Sequence, residues 1–187
     1  MHLPSLCDVQ PHSNIRMLLE DNYNFDEAFV DFGISIYMST KAHWTGNTIE
    51  AEQLVLNALS KASKISDPRL RDLANEIGTA KVALYSGYFE IANQRYLNAM
   101  DSFKSLLDCQ CLIMSDLLAS LAETELLTGN LLRARHCYQL AMQIDRVLCG
   151  DYWENYQYIL EQMTVLENAE MTGVPIGEVT ISWDPAS

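Results

Sequence analysis

Basic side chains are scarce in this chain: 12 Lys and Arg stand against 25 Asp and Glu, for a formal net charge of −13. Phosphate recognition needs clustered Lys and Arg, so nucleic acid is not an expected partner. Anionic membrane surfaces are disfavoured for the same reason. No apolar run approaches the roughly 18 residues that a membrane-spanning helix requires. The stretch MHLPSLCDVQPHS lacks a basic region followed by a sustained apolar run, so no secretory signal is expected. No Gly-rich phosphate loop, metal triad or nucleophile paired with a base is visible. Cysteines number five and are therefore odd, and most fall in helical patterns. That usage suits free thiols in a reducing compartment, and the cytosol or nucleus is the expected address.

What the chain does have is a repeat. Gly87 is followed by Phe89, Ala92, Tyr96 and Ala99; the same offsets recur as Gly129, Leu131, Ala134, Tyr138 and Ala141. Upstream they recur, more loosely, as Gly46, Thr48, Ala51, Val55 and Ala58. Self-similarity at a period of tens of residues marks an array of supersecondary units. Each unit reads as a helix A, a tight turn and a helix B. Glycine ends helix A because the residue just past a helix favours a left-handed conformation. The two alanines of each unit lie about two turns apart on one face of helix B, where small side chains let the next helix approach.

This constellation resembles the second half of the tetratricopeptide repeat. In the first half, the small residue before the turn is Ser39, Ala80 and Ala122, while Ser35, Glu76 and Leu118 hold the place of the usual aromatic. The period exceeds that of the ordinary repeat, and the longer helices look similar to those of kinesin light chains. The resemblance covers roughly residues 25–171. It implies an all-α fold: a right-handed α-α superhelix of about three hairpins with a C-terminal capping helix.

Read in order, residues 1–24 form a lead-in with a short helix from Ser13 to Glu20, 25–172 the repeat domain, and 173–187 a tail. The first helix A is expected over Phe25–Trp44, with Phe25, Phe29, Phe32, Ile36 and Met38 inward and Asp26 and Glu27 in its first turn. Asn47 caps the first helix B. Asp67 and Pro68 form a strong start signal for the second helix A. The third pair is expected from Cys111 to Thr128 and from Asn130 to Leu148. Asp151 is expected to cap a last helix to Met171, with Tyr152 and Tyr156 on the face that covers the third unit.

In tetratricopeptide arrays the A helices line a concave groove. The resemblance therefore implies a partner-binding floor that includes Tyr37, Thr40, Trp44, Lys81, Tyr85, Asp116, Glu123 and Glu167. It is aromatic at one end and acidic at the other, and suits a protein or peptide carrying basic residues and an apolar anchor. Only Lys81 could serve a carboxylate clamp, so a receptor for chaperone tails is not implied. The competing reading packs Tyr37, Trp44 and Tyr85 between helices, and places His43 at a helix end or on the groove wall. Cys109, Cys111, His136 and Cys137 read as thiols and an imidazole without a shared metal, because adjacent helical residues point about 100° apart. A non-enzymatic adaptor within a complex, needing no cofactor, is the function expected. The alternative is a peptide- or ligand-sensing regulatory domain. Self-association through an uncapped end and docking of the tail motif Ser182-Trp183-Asp184 into a groove are further expectations.

Overall fold

The computed structural model describes residues 26–107, 111–149 and 154–172. Within them the chain forms seven helices: α1 Glu27–Trp44, α2 Thr48–Ala62, α3 Pro68–Tyr85, α4 Phe89–Leu106, α5 Leu112–Leu127, α6 Leu131–Cys149 and α7 Glu154–Thr172. No strand occurs among the described residues. The lead-in helix, Phe25, Cys109, Asp151, Tyr152, Trp153 and the whole tail, including the Ser182-Trp183-Asp184 motif, lie outside them.

Local chemistry sets the helix starts. Asp26 is the N-cap of α1 and its carboxylate accepts from the Ala28 N–H at 2.9 Å. Asn47 caps α2, accepting weakly from the Glu50 N–H at 3.4 Å while its own amide donates to the Glu50 carboxylate at 2.6 Å. Asp67 caps α3 through the Arg69 N–H, with Pro68 in the first turn, where a missing N–H costs nothing.

The three turns share one geometry. Gly46, Gly87 and Gly129 have φ of 77°, 79° and 84°. In each, the glycine N–H bonds the carbonyl three residues back, and the next N–H bonds the carbonyl five residues back. Asn47 to Ala42, Tyr88 to Ala83 and Asn130 to Glu125 are the three longer bonds, at 2.9, 2.9 and 2.7 Å. This is the Schellman arrangement, which satisfies carbonyls a helix end would otherwise leave open.

The B helices repeat just as closely. Ala51, Val55 and Ala58; Ala92, Tyr96 and Ala99; and Ala134, Tyr138 and Ala141 are all fully buried. Packing is densest within each hairpin, next between successive hairpins, and α7 lies against α6. On α7, Ile159, Gln162 and Leu166 form the buried stripe, and Leu166 packs with Leu126 and Ala134. Gly78 in α3 permits the close approach of α2, since a Cβ there would meet Leu59 Cδ2 at 2.5 Å.

Contacts are not confined to chain neighbours: α1, α3 and α5 also meet one another. Consequently α5 is enclosed on nearly every side, with even Ser115, Asp116, Ser120, Thr124 and Glu125 buried. A helix without a polar face belongs in an interior.

Candidate functional site

Where α1, α3 and α5 converge, their inward residues form two polar tiers. The inner tier is built on Lys81, which is fully buried. Its Nζ donates to Thr40 Oγ1 and, at 2.8 Å, to Ser120 Oγ. Asp116 Oδ2 lies 3.0 Å from the ammonium as an ionic contact whose angle falls outside hydrogen-bond geometry. Thr40 Oγ1 in turn donates to Asp116 Oδ1 at 2.6 Å. An unpaired ammonium in such a place would cost several kcal/mol, on the order of what a buried ion loses in hydration. Here each charge faces the other, and hydroxyls from α1 and α5 complete the shell.

The outer tier lies toward the C-terminal ends of α1 and α3. Ser39 Oγ and Tyr85 OH are 3.3 Å apart. The Tyr85 ring stacks on His43, with centroids 4.5 Å apart. His43 Nε2 is 2.9 Å from Glu123 Oε1, and these side chains keep 22% and 16% of their surface exposed. Trp44 stacks on Tyr158 of α7 at 3.7 Å. His43 Nδ1 and Trp44 Nε1 are buried without a hydrogen-bond partner.

Burial pushes the Tyr85, Tyr96, Tyr138 and Tyr158 phenols up from their ordinary range, and the Glu123 carboxylate adds to the rise at each. All four therefore stay protonated near neutral pH and serve as packing surfaces, not as bases. Burial likewise pushes the Cys137 thiol up to about 11 and the Cys149 thiol to about 12, away from nucleophilic thiolate chemistry.

The eight residues expected on a groove floor thus separate into groups. Tyr37, Thr40, Lys81 and Asp116 are buried, and the last three are bonded to one another, so in this conformation they offer no surface to a partner. This corrects the expectation of an open floor at these four positions. Its physical cause is that α1 meets α5 directly. Trp44, Tyr85 and Glu123 are half-buried in the outer tier. Glu167 is exposed on α7, 3.7 Å from Arg135 Nη1, apart from the cluster.

Sequence reasoning had no place for Ser39, Ser120 or Tyr158 in this site. The aromatic of α7 that stacks is Tyr158, which is outside the expected pair of Tyr152 and Tyr156, and Tyr152 lies outside the described residues. The signal available for Lys81 was its position four residues after Ile77, on the apolar stripe of α3, where a solvated lysine does not belong. Among the described residues, no group of His, Cys, Asp and Glu is placed to hold a metal ion. No helix among them is long and apolar enough to cross a membrane. Comparison with protein-family models, with curated proteins and with solved structures returns no match.

Proposed function

We propose that the chain is a non-enzymatic scaffold of tetratricopeptide type, a right-handed superhelix of three hairpins closed by α7, which binds a partner polypeptide on its A-helix side. The observation that carries this reading is the identity of the three turns and of the buried B-helix triads. A chain that repeats one stacking unit three times commits its sequence to presenting a surface. Its polar interior holds helices together, with Lys81 of α3 bonded to Thr40 of α1 and Ser120 of α5.

The partner's chemistry follows from the outer tier. Trp44, Tyr85 and Tyr158 supply aromatic area, and Glu123 with Glu167 supplies negative charge. A segment with an apolar anchor and a Lys or Arg suits that combination, and the net charge of −13 steers such a segment inward. Cys137 and Cys149 are free thiols, which supports assignment to the cytosol or nucleus.

Affinity purification of the full chain against the double variant Glu123→Lys/Tyr85→Ala tests the reading. Loss of the co-purifying protein, with an unfolding midpoint that shows the variant folded, is expected. Equal recovery by both chains would remove the groove from the account.

A further inference from the structure

We propose that the first hairpin, α1–α2, is a gate, and that a partner reaches Lys81, Asp116 and Glu123 when the C-terminal end of α1 swings away from α5 and α7. This inference rests on the scaffold reading and names how access to its binding face is controlled.

Two kinds of interface hold α1. Its most extensive packing is against α2, and its Phe29, Phe32 and Ile36 are all within 1% of full burial in the shared core. Between α2 and α3, the Leu59 side chain sits over Gly78, where a Cβ would meet its Cδ2 at 2.5 Å. Opening either interface would expose apolar surface and leave it unsatisfied. Against α5 and α7 the contacts differ in kind: Thr40 with Asp116, His43 with Glu123, and one stacked pair, Trp44 with Tyr158. When polar groups part, water replaces most of what they lose, and a buried ion pair regains the hydration it gave up on burial. The polar seam is therefore the interface that opens at least cost.

The pivot is also defined. Asp26, at the opposite end of α1, accepts from the Ser66 N–H at 2.8 Å and so ties that end to the connection between α2 and α3. Lys61 of α2 donates to Ser35 Oγ at 2.8 Å and to the Asp31 carbonyl at 3.3 Å, which keeps α1 and α2 moving as one body. The bonds of α1 to Tyr85 and Lys81 of α3 and to Asp116 and Glu123 of α5, and the Trp44–Tyr158 stack, fall within its last six residues, Ser39 to Trp44. A small rotation about Asp26 displaces that end furthest.

Lys81 reports the opening, because an ammonium with no exposed surface reacts with an amine-directed acylating reagent only when uncovered. The experiment follows Lys81 acylation by mass spectrometry in the full chain without partner, across sub-denaturing urea. Alkylation of Cys111, a buried thiol in the connection before α5, serves as the reporter of global unfolding. The expected result is Lys81 labelling with a shallower urea dependence than Cys111, accelerated about tenfold by His43→Ala, as befits a lost packed contact. The milder His43→Gln variant should lie between. Lys81 and Cys111 labelling with the same urea slope in all three chains would overturn the gate. The readout needs no partner, so a closed gate leaves the scaffold reading standing, and failed partner capture leaves the labelling result intact.

Discussion

Trp44, the last residue of α1, stacks on Tyr158 of α7 with ring centroids 3.7 Å apart and planes 12° from parallel. The first and last described helices of the array therefore touch. In a linear array each repeat contacts only its neighbours, and stability is a sum of local terms. Closure across the A helices adds a long-range term. In a double-mutant cycle, Trp44→Ala and Tyr158→Ala should couple by about 0.5–1.5 kcal/mol, the range for aromatic pairs. Urea unfolding of the four chains measures it, and strictly additive losses would show that the rings do not meet in solution.

The inner ion pair predicts that a double variant is more stable than the single one. Lys81→Met alone leaves Asp116 buried beside two hydroxyls without a counter-charge, and should cost about 3–5 kcal/mol. Lys81→Met with Asp116→Leu removes both charges and should recover most of that loss. Denaturation midpoints decide the matter, and a double variant as unstable as the single one would contradict the pairing.

Gly87 holds φ of 79°, with nothing within 4 Å of the position a Cβ would occupy. Space is not the constraint there; backbone conformation is. Gly87→Ala should cost about 1–2 kcal/mol from left-handed strain, and Gly87→Asn less, because Asn visits that region more readily. Thermal midpoints of the two variants give the order directly.

Asp26 links stability to pH. Hydrogen bonds from the Ser66 and then the Ala28 N–H hold its carboxyl below the usual carboxylate range. A depressed folded pKa means stability that is present above the unfolded value of about 3.9 and lost as pH falls through the folded one. Asp26→Ala should cost about 1 kcal/mol near neutrality, the ordinary worth of an N-cap. The gap to the wild type should close on acidification below about pH 4. Urea midpoints from pH 7 to pH 3 test this, and a constant gap would assign the loss to something other than the carboxylate.

Much of the fold was legible because its rules are local. The glycine spacing located all three turns, and the triads of Ala, Val or Tyr, and Ala located the buried face of each B helix. The caps Asn47 and Asp67 were readable from one or two residues of context. What could not be read was curvature. Whether Thr40 reaches Asp116, 76 residues away, depends on the angle each hairpin makes with the next, and no short window encodes that.

A clue lay in α5 nonetheless. LIMSDLLASLAETELL has no continuous polar stripe, and a helix lining an open groove needs one face that tolerates water. Its Asp116 and Glu123 read as part of an acidic floor, whereas Asp116 is an interior group and Glu123 is half-covered by His43. The phase of α7 was likewise set by what it packs on. That is why Tyr158 turns toward Trp44, a contact that spacing among the aromatics alone does not specify.

The closure of the A helices on one another is tested most directly by proton NMR of the full chain in solution. Cross-relaxation between the Trp44 indole and the Tyr158 ring protons should be strong at the 3.7 Å centroid separation, together with contacts from the His43 ring to Tyr85 at 4.5 Å. A Trp44 indole that shows contacts only to α1 and α2 would contradict the closed array and return its inner face to solvent.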